Sequence, residues 1–234
     1  MKKKLRIIAS NKGGNGKSLL TALFYQCYEK RDDVLFIDLD NSTKTSTKQL
    51  KNLGESRLKT ISLLNENDVL DRNNLILFLE NLAENELFNE FIADFGSPEA
   101  EQLPYLLQND IDFKEFMDAI GIEAEFNIVI SSSGYLSSVQ YLDNMRKILK
   151  NEFKITVWKN ITSFKHLPEL AEELKINCKK MGLELRQFGD FSPSSLTSQI
   201  LENIRNGSFN MGIGAQLRLK KELKDNFEYE YAAN

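Results

Sequence analysis

The residues of this sequence best suited to chemistry stand close together near its amino end, in the run Asn11-Lys12-Gly13-Gly14-Asn15-Gly16-Lys17-Ser18-Leu19. Glycines there let the backbone turn sharply and aim successive N–H groups at phosphate oxygens. A helix starting near Lys17 would add a dipole end worth about half a positive charge. In such a loop Lys17 reaches the β- and γ-phosphates, and the Ser18 hydroxyl ligates Mg²⁺. The general phosphate-loop pattern has glycine where Asn11 stands, whereas the variant Lys-Gly-Gly-x-Gly-Lys-Ser is met in full. An apolar run before the loop and helical spacing after it speak against a chance glycine-rich turn. The run reads as a nucleoside triphosphate site.

Acids follow at two strand ends. Val34-Leu35-Phe36-Ile37 leads into Asp38-Leu39-Asp40, and Phe91-Ile92-Ala93 leads into Asp94-Phe95-Gly96-Ser97-Pro98. The carboxyl ends of buried parallel strands are where α/β folds bind ligands, and strand alternation points Asp38 and Asp40 the same way. Either acid could equally be a solvated strand end or a helix cap. Asp94, with Gly and Pro just after it, suits a carboxylate behind Mg²⁺ and a loop that senses the γ-phosphate. The rival run, Phe126-Asn127-Ile128-Val129-Ile130-Ser131-Ser132-Ser133, carries no acid.

Short apolar runs must position these groups. Strands are expected at Leu5–Ala9, Val34–Ile37, Thr60–Leu64, Phe91–Ala93, Ile128–Ile130, Ile155–Trp158 and Leu183–Phe188. Between them, Leu20, Phe24 and Cys27 share a helix face within 18–30, as do Leu75, Leu79 and Leu82 further on. Such alternation predicts an α/β fold: a mostly parallel sheet flanked by helices on both faces. The segment 99–126 reads as one or two surface helices. A helix at 136–150 and a docked terminal helix over 213–227, carrying Leu219, Leu223 and Phe227, complete the plan.

The length of 234 residues, with no Pro/Gly/Ser linker or repeat, reads as one domain over 1–234. Thirty basic against 34 acidic residues leave a net charge of −4, so no overall field draws the chain to nucleic acid or anionic lipid. Cys27 and Cys178 form no CxxC or Cys/His cluster, which speaks against zinc or iron–sulfur chemistry and for a reducing compartment. No apolar run has the roughly 18 residues of a membrane span, and the start lacks a signal-peptide core. A cytoplasmic location is expected. His166, the one histidine, needs no catalytic role.

The variant loop resembles the deviant Walker A motif of the ParA/MinD family of P-loop ATPases. That resemblance implies ATP and Mg²⁺ as cofactors, with Gly13, Gly14, Asn15, Gly16, Lys17, Ser18 and Leu19 around the phosphates. It also implies that Lys12 reaches across a nucleotide-sandwich homodimer to the partner's phosphates, a cation supplied in trans as an arginine finger is. By the same resemblance Asp40 would position or activate the attacking water, Asp38 and Asp94 would serve the magnesium shell, and Asn160 in Trp158-Lys159-Asn160 would contact adenine, with Pro193 near the base. The family commonly continues Pro-Gln after the first acid pair, where this sequence has Asn41-Ser42-Thr43. The Phe-Gly-Ser-Pro order after Asp94 resembles the plasmid-stability and mobilisation branch.

The resulting expectation is a slow, Mg²⁺-dependent ATPase that dimerises on ATP, acts in plasmid partition or positioning, and meets a protein that stimulates hydrolysis. Non-specific DNA could bind at Arg146, Lys147 and Lys150, or at Arg218, Lys220, Lys221 and Lys224, although such clusters are more often solvated helix faces. The tail Phe227-Glu228-Tyr229-Glu230-Tyr231 is acidic and aromatic, the reverse of a membrane-targeting helix. Rival classes are a metabolic P-loop enzyme forming amides or carboxylating a small acid, a protein-cargo adaptor that ignores DNA, and a bacterial tyrosine kinase suggested by Tyr229 and Tyr231. A scaffold that binds ATP without hydrolysing it is opposed by Asp40.

Overall fold

The computed structural model describes residues 2–41, 43–108, 112–191 and 194–227, so Ser42, Pro193 and the tail from Glu228 lie outside the described residues. In chain order the elements are β1 (Lys3–Ala9), α1 (Lys17–Cys27), β2 (Val34–Leu39), α2 (Thr45–Gln49), α3 (Gly54–Arg57), β3 (Leu58–Thr60), α4 (Arg72–Glu84), β4 (Glu90–Phe95) and α5 (Ser97–Leu107). They continue with α6 (Phe113–Ala119), β5 (Ile122–Ile130), α7 (Tyr135–Leu149), β6 (Lys154–Asn160), α8 (Ile161–Phe164), α9 (Pro168–Met181), β7 (Glu184–Phe188), α10 (Ser195–Arg205) and α11 (Ile213–Asn226).

The seven strands form one sheet in the order β3-β2-β4-β1-β5-β6-β7, and every pairing is parallel. Period-two alternation divides its side chains between two apolar layers. Leu5, Ile7, Leu35, Ile37, Phe91 and Ala93 pack with α4, α5 and α7 through Leu79, Leu103 and Leu142. Ile8, Val34, Phe36, Ile92 and Trp158 face the other way, toward α1, α10 and α11 through Phe24, Ile200 and Leu219. A sheet covered on both faces needs near-continuous apolar strands, which is what β2 and β4 are.

From the central β1 the chain runs outward to β2 and β3, returns as β4, and then crosses to β5 on the opposite side. The carboxyl ends of β1 and β4 therefore open at the point where the strand order reverses, the position at which such sheets bind ligands. Parallel register brings Asp38 of β2 level with Asp94 of β4, which is itself level with Ile8 of β1.

Two expectations need correction. The third strand is Leu58–Thr60 rather than 60–64: the chain leaves the sheet at Ile61 and turns through Asn65, whose side chain accepts the N–H groups of Asn67 and Val69. Leu63 is apolar because that loop packs on the core, with Leu64 bridging antiparallel to Leu70. The segment 99–126 is not surface helix throughout, since 122–126 begins β5 and Leu103, Leu107 and Met117 are buried. The terminal helix does dock: the Phe227 ring stacks on Trp158 at 4.9 Å between centroids and meets Phe24 edge-on at 5.5 Å.

Phe227 is fully buried. Phe227→Ala should lower unfolding stability by about 3–5 kcal/mol, read from urea denaturation; a loss below about 1 kcal/mol would show that α11 docks without this ring.

Candidate nucleotide site

The loop between β1 and α1 takes its path from glycine. Gly14 and Gly16 have φ of +78° and +102°, conformations in which a side chain is strained. A Cβ on Gly16 would also stand 2.7 Å from Asn160 Nδ2 and 3.3 Å from the Phe188 ring, so β6 and β7 crowd the loop from below. Asn15 pins it. Its buried amide donates to Ser10 Oγ at 2.6 Å, its Oδ1 accepts from Ser131 Oγ at 2.6 Å, and its main-chain oxygen accepts from Asn160 Nδ2 at 3.0 Å.

The two lysines of the loop stand in different surroundings. Lys17 is buried and donates to Ser97 Oγ at 2.7 Å and to the carbonyls of Ser10 and Lys12 at 3.4 Å. Burial pushes its ammonium below the usual lysine range, while the carboxylates of Asp94, Asp40 and Glu99 oppose the fall. Lys12 is half-buried and lies across Gly134 at the start of α7, where a Cβ would meet its Nζ at 2.6 Å. Gly13 and Gly14 are exposed at the rim, and Leu19 lies under Gly189.

The acids are engaged in distinct ways. Asp38 is fully buried, and its oxygens accept the N–H of Asp40 at 3.0 Å and both the N–H and hydroxyl of Thr47 at 2.7 Å, which caps the short helix α2. Asp40 lies just past β2 and accepts the N–H of Thr43 at 3.1 Å and the Thr43 hydroxyl. Asp94 accepts from the Ser46 hydroxyl, Ser18 lies beside it, and its Oδ1 is buried without a partner among the described residues.

An orphaned carboxylate oxygen next to the Ser18 hydroxyl fits a hydrated Mg²⁺, which binds through one or two protein oxygens and the substrate phosphates. Among the described residues no three His, Cys, Asp or Glu side chains converge into a self-sufficient metal cage. Asn160 likewise keeps a buried Oδ1 without a described partner, next to Gly189. The loop lysines, Asp40, Asp94 and Asn160 thus stand around one end of the sheet, while Asp38 is turned into a helix cap.

Sequence patterns missed several participants. Glu99 is buried at the third position of α5, its Oε1 accepting the Asn41 N–H at 3.3 Å. Ser97, on the same turn, receives Lys17. Gly96-Ser97-Pro98-Glu99 is a recognisable helix start with Pro and a third-position acid, and that signal could have found both. Ser10, Ser46 and Ser131 had no such signal. Of the basic clusters, Arg146 and Lys147 pair with Asp143, and Arg218 pairs with Asp190 and Glu222, whereas Lys220, Lys221 and Lys224 are exposed.

A strand–glycine loop–helix unit at the reversal of a parallel sheet, with a buried lysine and strand-end acids, defines a P-loop nucleotide-binding protein. The chain belongs to the CobQ/CobB/MinD/ParA nucleotide-binding domain family, whose model matches residues 6–224. No curated protein sequence matches it. Among solved structures it is similar to a chain of the MinC:MinD cell division protein complex of Aquifex aeolicus, at 13% identity and a TM-score of 0.57 over 95% of each chain. It is similar to a Borrelia burgdorferi protein described as a plasmid partition protein and bound to AMPPNP, at 15% identity and 0.55 over 96% of this chain and 98% of that one. Cyanthece McdA matches at 14% and 0.55, over 97% and 98%. At such identities these likenesses show the fold.

Burial raises the Asp94 carboxyl from 3.8 to about 6; the Asp38 charge adds to this, and Ser46, Lys17 and Ser18 oppose it. A carboxyl raised on folding contributes stability that is intact below about pH 4 and lost as pH rises through about 6. Asp94→Asn should therefore stabilise the nucleotide-free protein at pH 7, by at most about 3 kcal/mol, and change nothing below about pH 4. A series of urea midpoints across pH reads this; an Asn variant no more stable at neutral pH would show that Asp94 is satisfied in the folded protein.

Proposed function

We propose that this protein is an ATP-driven switch of ParA/MinD type, a Mg²⁺-dependent ATPase in a single domain that dimerises on ATP and releases its partner on hydrolysis. The observation that carries the reading is one phosphate loop bearing two lysines in different places, Lys17 buried among acids and Lys12 at the rim. A single-chain enzyme needs only the first of these.

In this reading the loop amides of Gly13 to Ser18 and the Lys17 ammonium hold the β- and γ-phosphates. Ser18 would hold Mg²⁺ directly and Asp94 through its hydration shell, with Asp38 adding negative charge one strand away; the ion offsets charge on the phosphate oxygens. Asp40 orients a water, which attacks the γ-phosphorus; the bond to the β–γ bridging oxygen breaks, giving ADP and phosphate. The Oδ1 of Asn160, without a partner among the described residues, suits the amino group of adenine rather than the carbonyl of guanine. Lys12, swung off Gly134, supplies a cation to the partner's phosphates.

Family membership and the plasmid partition and cell division proteins of similar fold support a role in plasmid partition or cargo positioning, with a second protein stimulating a slow basal turnover. Exposed Lys220, Lys221 and Lys224 support contact with DNA phosphates. No helix among the described residues is long and apolar enough to cross a membrane, and the chemistry suits a cytoplasmic protein.

Asp40→Ala should bind ATP without cleaving it. Light scattering should then show about twice the 26.9 kDa of one chain in ATP and Mg²⁺ but not in ADP, and Lys12→Ala added to it should return the monomer. Co-elution with random duplex DNA at moderate salt would make DNA the partner surface. A dimer that ignores DNA would favour a protein-cargo adaptor, and a monomer in every condition would hand the site to a metabolic enzyme.

A further inference from the structure

We propose that Glu99 is a positioning residue for ATP hydrolysis: its buried carboxylate ties the first turn of α5 to the loop that carries Asp40. The inference rests on the ATPase reading. Glu99 is 1% exposed, an unusual place for a glutamate that makes no ion pair within 4 Å among the described residues and feels the Lys17 charge only at longer range. One of its oxygens crosses to the Asn41 N–H at 3.3 Å, and the other is buried with no hydrogen-bond partner among the described residues. Gly96 faces both groups: a Cβ there would collide with the Glu99 carboxyl and stand 3.0 Å from Asp40 Cα.

A glutamate at the third helical position commonly caps its own helix, and Glu99 also bonds its own N–H. Capping alone accounts neither for the bond to Asn41 nor for a charge buried close to Asp40. The same helical turn carries Ser97, which receives the Lys17 ammonium at 2.7 Å. One turn of α5 thus holds the phosphate-binding lysine at Ser97 and the water-handling acid's loop at Glu99. Where Asp40 stands is set by the turn that meets the nucleotide, and a small misplacement of a catalytic group lowers rate far more than binding.

The test compares Glu99→Ala and Glu99→Gln in the full chain, by amide hydrogen exchange without nucleotide and by steady-state ATP turnover with Mg²⁺. Glu99→Ala should speed exchange at Asn41 and Thr43 about tenfold or more. It should lower kcat by about ten- to a hundredfold, with affinity for ATP and Mg²⁺ held within about threefold. Glu99→Gln keeps an oxygen for the Asn41 N–H and should restore slow exchange and most of kcat. Should Glu99→Ala not fold, Glu99→Asp, too short to reach Asn41, is measured in its place.

Unchanged exchange and turnover in the shortened variant would overturn the proposal, as would equal losses of affinity and turnover. A Gln variant as impaired as Ala would overturn it too, by showing that charge rather than the tie matters. If the wild-type chain turns over no ATP, the ATPase reading itself fails, and faster exchange in the Ala variant would then mark Glu99 as a purely structural tie.

Discussion

A lysine ammonium held out of water at the carboxyl end of the central strand sets the terms for everything around it. Lys17 sits where β1 gives way to α1, and a buried cation is tolerated only where hydrogen bonds and opposite charge receive it. Ser97 and two main-chain oxygens supply the hydrogen bonds, and Asp40, Asp94 and Glu99 supply the field. Those acids come from the ends of β2 and β4 and from the first turn of α5, so the strand order that places β4 beside β1 is what lets the charge balance. Burial raises the Asp94 and Glu99 carboxyls and lowers the Lys17 ammonium, so the charges at this end of the sheet depend on one another.

The acids are not interchangeable, although three of them stand within a few residues of strand ends. Asp38 is consumed as a helix cap by Thr47, Asp94 keeps one oxygen without a hydrogen bond among the described residues beside Ser18, and Asp40 sits on the loop just beyond β2. Identical chemistry thus yields three roles, separated by what each oxygen meets. Asp38 and Asp94 also hold α2, through Thr47 and Ser46, so the helix after the first acid pair rests on carboxylates from the neighbouring strands β2 and β4.

How much of this was legible in the sequence follows from the range of the forces involved. The loop was readable because Gly14, Gly16 and Lys17 are demanded by local backbone geometry and by charge at fixed spacing. Strands β2, β4 and β6 were readable because burial on two faces leaves nearly continuous apolar runs. The third strand was misplaced because Leu63 is apolar for a different reason, packing of a loop onto the core. The partners of Asp38, Asp94 and Glu99 were out of reach: Ser46, Thr47 and Asn41 become neighbours only when the loops close over the sheet. A hydroxyl in the sequence carries no mark of which carboxylate it will meet.

Trp158, the only tryptophan of the chain, stands two residues before Asn160 on β6. Its indole N–H donates to the buried Asn127 at 2.8 Å, and its ring carries Phe227 on one side and the Arg186 guanidinium within 5.6 Å. One fluorophore therefore belongs at once to the strand that ends at Asn160, beside the phosphate loop, and to the seat of the terminal helix. The protein thus carries a single-site optical reporter without any label being added, and any shift of Phe227 or Arg186 on the indole changes the surroundings of that one fluorophore.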